Sequence, residues 1–278
     1  MGALLASHGH RTVVVLRPES NWECDAVVID TESRELDQAT AAERVRLALQ
    51  QLRDWGARTF FKKVDSTLRG PIEAELEAFS PFAFTPAYPA MGRIVRGGVL
   101  YVNGMPVESQ LRMLDASSDE DLERIVALYG SALAGSGGLG RAWVRSLPTG
   151  KASLDNLWRP EKPIVICGSR HAASRAQADR AEASGLFVIR TPEETGNSSE
   201  VARAIASQAA QLDADLLIIF GGDTSAAVLQ AMGIHELWPV NEILPGIAAS
   251  ISKSRMIVTK AGGFGDPGIV NQILRELP

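Results

Sequence analysis

The sequence predicts an α/β protein of two domains, each a largely parallel sheet flanked by helices, and three observations carry that prediction. The chain has 278 residues, more than one core of roughly 100–200 residues holds. Short β-branched runs, TVVVLRP (12–18) and DAVVIDTESR (25–34), break into polar residues at their carboxyl ends, as buried parallel strands do where they feed loops. Between such runs lie segments with apolar residues at helical spacing, and strand–helix alternation builds a parallel sheet.

Taken in order, Ala39 to Trp55 reads as a helix with apolar Val45, Leu47, Ala48 and Leu52 at helical spacing, and RTFFKKVDS (58–66) as the next strand. Ile72–Phe79 reads as a helix. From Phe84 to Val107 the chain is rich in Pro and Gly, and Asn103-Gly104 between short apolar runs signals a hairpin turn. Ser117 to Ala134 reads as a helix with Asp119, Glu120 and Asp121 in its first turn, GSGGLG up to residue 140 as a flexible surface loop, and 149–162 as an interdomain connection. A second series begins with the strand 163–169 and continues through helix 172–184, strand 186–190, helix 199–212, strand 215–224, helix 225–232 and a closing strand in 256–267. The boundary falls near residue 160, giving domains 1–160 and 161–278.

Charged residues are 22% and hydrophobic ones 45%, the balance of an ordinary globular chain. The formal net charge is −5, with no Lys/Arg run or aromatic-interleaved basic stripe, which argues against a nucleic-acid partner. No stretch reaches the roughly 20 apolar residues that span a bilayer, and MGALLASHGH has no signal-peptide pattern, so a cytoplasmic location is expected. Cys24 and Cys167 lie far apart in hydrophobic contexts and read as buried core thiols. His8, His10, His171 and His235 have no metal-ligand spacing.

Lys62-Lys63-Val64-Asp65-Ser66-Thr67-Leu68-Arg69-Gly70 places cations, a carboxylate and hydroxyls at a strand end, where ligands sit in open α/β sheets. Lys and Arg hold carboxylates, Asp and Ser bond sugar hydroxyls, and Asp65 can accept a proton from a hydroxyl nucleophile. The same Asp65-Ser66-Thr67 also suits a cap on the helix that follows. Ser33 and Arg34 follow the second strand in the same way, and Arg93 sits in the Pro/Gly loop within reach of an anion or simply in a turn. In the second half, Gly168-Ser169, Gly221-Gly222-Asp223-Thr224 and Gly262-Gly263-Phe264-Gly265 are glycine-bearing turns between strands and helices, where free N–H groups attract phosphate oxygens. Lys260 precedes the last of them and can reach a phosphate. None of these three turns is a Walker A loop or a GxGxxG fingerprint before a helix.

In order, KKVDSTLRG, PAYPAMGRIVRGGVLYVNGMPV, GSRHAASRAQ, GGDTSAAVLQAMGI, EILPGIAA and VTKAGGFGDP resemble the four-carbon acid sugar kinase family over nearly the whole chain. The resemblance implies an N-terminal domain for a small sugar acid such as a tetronate or 3-oxo-tetronate, and a C-terminal domain for ATP. Phosphate would pass to a terminal substrate hydroxyl with Mg²⁺ between the phosphates. It implies that Ser169, Gly221, Gly222, Asp223, Thr224, Gly262 and Gly263 serve ATP, beside Lys260. Lys63, Ser66, Arg69, Ser33, Arg34 and Arg93 would line the acid site, with Asp65 as its catalytic residue. Members usually open with a strand and an Asp-Asp-Leu-Thr-Gly-Ala motif and run longer, whereas this sequence starts at Met1-Gly2-Ala3. The first strand and its acidic pair are therefore expected to be missing, which leaves a sheet edge that invites a homodimer. The alternative is a non-catalytic or regulatory relative that binds nucleotide or sugar acid. Smaller departures are GGDT where a Glu is common in third place, and KAGGFG in place of KSGNFG.

Overall fold

Uninterrupted apolar runs such as Ile164-Val165-Ile166 and Leu216–Phe220 bury both faces at once, which only the middle of a covered sheet allows. In the computed structural model of the protein they form the centre of the largest sheet. The structure describes residues 1–17, 22–152, 158–191, 198–261, 263 and 265–277. Gly262, Phe264 and part of the connection read at 149–162 lie outside the described residues.

In chain order the elements are α1 (Gly2–Ser7), β1 (Thr12–Val15), β2 (Ala26–Ile29), α2 (Gln38–Trp55), β3 (Phe60–Lys63), α3 (Ile72–Phe79) and β4 (Ala83–Thr85). A 3₁₀ turn at Pro89–Met91 leads to β5 (Arg93–Arg96), β6 (Val99–Val102), β7 (Met105–Val107), α4 (Asp119–Tyr129), β8 (Ala132–Gly135) and α5 (Gly137–Ser146). The second half holds β9 (Pro163–Cys167), α6 (Ala172–Ala183), β10 (Phe187–Arg190), α7 (Ser198–Ala210), β11 (Leu216–Phe220), α8 (Gly222–Ala231), β12 (Glu236–Leu244), β13 (Ile247–Ser252), β14 (Arg255–Lys260) and α9 (Ile269–Glu276).

The large sheet has eight strands in the order β10-β9-β11-β14-β13-β12-β1-β2. Strands β10, β9, β11 and β14 run parallel, as do β1 and β2. Alternation along the central strands sends Ile164, Ile166, Leu217 and Ile219 to one face, against Ile205, Ala209 and Val228 of α7 and α8. Val165, Leu216, Ile218 and Phe220 go to the other, against Ala178 of α6 and Ile269 and Ile273 of α9. The class is therefore α/β as expected, and the sheet takes strands from both sides of residue 160. Its middle differs from the sequence reading: β12, β13 and β14 form an antiparallel meander that joins β1. Pro239 sits beside a register irregularity in β12, the kind of place where a strand tolerates proline.

The first half adds a parallel sheet β3-β8-β4 and an antiparallel sheet β5-β6-β7 over one apolar core. Asn103 and Gly104 make the expected hairpin, with φ of 51° and 83°. The stretch 134–140 is no flexible loop. It ends β8 and starts α5, and a Cβ on Gly135 would meet Thr85 O at 2.6 Å and one on Gly138 would meet Ala87 O at 2.8 Å. Glycine there buys close packing, and Ser136 is buried as the N-cap of α5. Cys167 is buried as read, whereas Cys24 is only partly so. No helix among the described residues is long and apolar enough to cross a membrane.

Ile218 is 0% exposed and Leu128, on α4, is 77% exposed. Ile218→Ala is expected to cost about 2–5 kcal/mol in urea unfolding, and Leu128→Ala less than about 0.5 kcal/mol.

Candidate functional site

Cys167, Phe220 and Lys260 sit side by side on one rung of the large sheet. Each is the last residue of a parallel strand, so the turns that follow leave the sheet together at its carboxyl edge, where open α/β sheets bind ligands. They touch. A Cβ on Gly168 would fall 1.8 Å from Thr224 Oγ1, Gly221 lies against Ser169, and a Cβ on Gly263 would meet the His171 ring at 3.1 Å. Gly221 holds φ 105°, which favours glycine. Gly222, the first residue of α8, faces open space, and the Gly221 cap places no side chain over the helix N-terminus. Among the described residues no side chain caps its amides, which suits water or an anion there.

Of the residues expected here, Gly222 and Asp223 are exposed, and Ser169 lies in the turn with its hydroxyl accepting from His171 N at 3.3 Å. Thr224 is buried against Gly168. Lys260 is only 2% exposed, its ammonium 4.6 Å from the Phe220 ring centroid and donating to Ala261 O at 2.9 Å. Burial lowers its pKa, opposed by the nearby Cys167. It supports the turns from beneath. Gly263 lines the rim, while Gly262 lies outside the described residues.

The second cluster forms where the loop after β2 meets the loop after β3. Asp65 Oδ1 accepts from Thr67 N at 2.9 Å and Thr67 Oγ1 at 2.6 Å. Its Oδ2 accepts from Arg69 Nη2 at 2.8 Å and Nε at 3.2 Å, with Arg34 Nη2 3.5 Å away. Burial alone would raise this carboxyl, but the bonds from Arg69 and Thr67 outweigh it and hold the group well below the usual carboxylate range. Lys63 is exposed along one flank, yet the protein packed around its ammonium strips enough water away to lower its pKa, against the pull of Asp65. Arg34 and Arg69 push the same way. Leu68 adopts φ 60° in this turn, a conformation bulky residues rarely hold.

Ser33, Arg34, Lys63, Asp65, Ser66 and Arg69 are thus brought together on adjoining loops, and Gly70 packs against the Arg34 backbone. Arg93 is placed apart, at the start of β5, with its guanidinium donating to Met91 O. One residue of the cluster escaped the sequence reading: Glu75, which accepts from Ser33 Oγ and has its Oε2 2.8 Å from Lys62 Nζ. The available signal was an acidic residue on the inner stripe of α3 beside Ile72 and Leu76. Arg141 of α5 was also missed. It pairs with Glu242 of β12 at 2.9 Å and so ties the first half to the meander. A separate open groove of about 700 Å³, lined by His10, Arg11, Asp25 and Lys151 among others, shares no lining residue with either cluster.

Comparison with known proteins gives the two loop clusters a common context. Residues 1–113 match a family described as a sugar-binding N-terminal domain, and residues 151–270 one described as a nucleotide-binding C-terminal domain. The chain belongs to the four-carbon acid sugar kinase family. A D-threonate kinase of Bordetella bronchiseptica is 26% identical over 91% of this chain and 87% of its own length, in an alignment of 360 positions, longer than the chain itself. A D-threonate kinase of Cupriavidus necator is 34% identical over 63% of this chain, which spans only 45% of that relative. Among solved structures, a Salmonella typhimurium LT2 protein superposes with a TM-score of 0.81 at 20% identity, covering 100% of this chain and 96% of that one. A Haemophilus influenzae protein gives 0.73 at 18%, covering 98% and 95%. At these identities the structural likeness shows the fold alone.

A carboxyl whose pKa is depressed on folding adds stability that is present above its unfolded value and lost as pH falls through the folded one. Asp65→Asn is therefore expected to be less stable than wild type at pH 7, with the gap in unfolding free energy constant above about pH 5 and narrowing below about pH 4. Urea titrations across pH check this.

Proposed function

We propose that this chain is an ATP-dependent kinase that phosphorylates a terminal hydroxyl of a four-carbon sugar acid. Residues 1–160 would carry the acid site and 161–278 the nucleotide site. The observation that carries the reading is the meeting of glycine turns at one rung of the sheet, under an α8 N-terminus without a side-chain cap. Gly221, Gly222, Gly263 and Ser169 offer backbone and hydroxyl groups to phosphate oxygens there, and Thr224 and Lys260 hold the turns in place. The names of the D-threonate, D-erythronate and 3-oxo-tetronate kinases among the relatives support the same substrate class.

Across the molecule, Arg34, Lys63 and Arg69 outnumber the Asp65 carboxylate they surround, so the cluster favours an anion such as a substrate carboxylate. Every oxygen of Asp65 is already engaged and the group is strongly acidic. A carboxylate of that kind is a weak proton acceptor. In this reading Asp65 serves transfer by holding the guanidiniums and the acid in register, with Ser66 in the same turn available to a sugar hydroxyl. Among the described residues no His, Cys, Asp or Glu side chains converge as a metal site. Asp223, exposed in the first turn of α8, is the carboxylate beside the glycine turns, which suits a Mg²⁺ held mostly by nucleotide phosphates and water. Bound there, the ion neutralises phosphate charge during transfer.

The test is ADP release from ATP and Mg²⁺ with D-threonate, D-erythronate or 3-oxo-tetronate, with the phosphorylated acid identified by mass spectrometry. Acid-dependent ADP is expected. Calorimetric ATP binding without any transfer would sink the kinase and leave a nucleotide-binding relative. Asp65→Ala is expected to lower kcat/KM for the acid by more than about 100-fold while ATP affinity stays within about twofold. Because a side chain at Gly222 meets open space, Gly222→Val should keep the wild-type Tm and weaken ATP by about tenfold or more.

A further inference from the structure

No strand pairing joins β2 to β3, which belong to different sheets. The two loops that carry Arg34 and Asp65 are therefore not set against each other by a backbone ladder, and beyond the packing of Gly70 on the Arg34 backbone it is side chains that join them. Glu75, reaching out from α3, is 4% exposed and uses both carboxylate oxygens: Oε2 meets Lys62 of β3 at 2.8 Å, and Oε1 accepts from Ser33 Oγ in the loop after β2. Ser33 is itself buried, with the Thr31 hydroxyl 2.8 Å away. One buried carboxylate thus binds an element of each sheet, and the guanidinium of Arg34, next in sequence to Ser33, reaches Asp65 two residues beyond Lys63.

We propose that Glu75 is a positioning residue of the acid site: by clamping Ser33 and Lys62 it fixes the 31–34 loop against the 64–70 loop, so that Arg34, Lys63 and Arg69 present one convergent cationic surface to the substrate carboxylate. This rests on the sugar-acid reading above for its substrate. It also accounts for a buried acid on an otherwise apolar stripe. By neutralising Lys62, Glu75 leaves Lys63 as the lysine of the pair that faces solvent.

Glu75→Gln keeps the size of the side chain and an acceptor for Ser33 but removes the charge that holds Lys62. Hydrogen exchange is expected to quicken by about fivefold or more in segments 31–37 and 64–70, and to stay unchanged in the turns at 168–171 and 221–225. In turnover, the acid KM is expected to rise about tenfold, with kcat and the ATP KM within about threefold of wild type. Unchanged exchange in the two loops would overturn the proposal. So would a uniform rise across the chain with both KM values moving together, the mark of a merely structural residue. If Glu75→Gln does not fold, Glu75→Asp, one methylene shorter, is measured the same way against the same outcomes. A wild-type protein without turnover on any tetronate sinks the kinase reading alone, because the exchange pattern decides the role of Glu75 without activity.

Discussion

The shared register of β9, β11 and β14 is the constraint on which the rest of the structure depends. Because Cys167, Phe220 and Lys260 occupy one rung, the turns that follow start level with one another and can pack side by side. That register is held by side chains alternating to two covered faces, and a slip of one residue would send every one of them to the wrong side. The apolar core and the glycine rim are thus one object. Lys260 marks the junction, a cation buried at the end of a core strand with its ammonium on an aromatic ring.

Glycine does two different jobs here. At Gly221 a left-handed backbone bends the chain out of the sheet and into a helix. At Gly135, Gly138 and Gly168 the backbone angle is ordinary, and what matters is that neighbouring atoms stand where a Cβ would be. Confusing the two jobs turns a buried helix start, 134–140, into a flexible loop. Composition alone does not separate them, since the difference lies in atoms contributed by residues some fifty positions away, such as Thr85 and Ala87.

Much of the architecture was legible from the chain. Parallel strands announce themselves as Ile/Val runs that end in polar residues, and Asn103-Gly104 announces a hairpin. The Lys62–Gly70 segment, Ser33 and Arg34 read as a site, and the fold does bring them together. What stayed hidden depended on tertiary partners. The meander of β12 and β13 went unread, and the irregularity that accommodates Pro239 shows only with β13 alongside. Arg93 read equally as an anion ligand or a turn residue, and the Met91 carbonyl its guanidinium meets comes from its own loop. Glu75 was invisible as a functional group because its partners come from two separate elements.

The antiparallel pairing of β1 with β12 has a consequence for where the two cationic loops meet. It stitches β1 and β2 onto the same sheet as the glycine turns, so Ser33 and Arg34 are anchored to that sheet, whereas Lys63, Asp65 and Arg69 are anchored to the small one. The seam between the two sheets runs between Arg34 and Asp65, and one apolar core closes it, with Ala26 and Val28 of β2 packed on the same cluster as Val64 and Leu133. Parting the two loops would break an ion pair and unpack shared core at once.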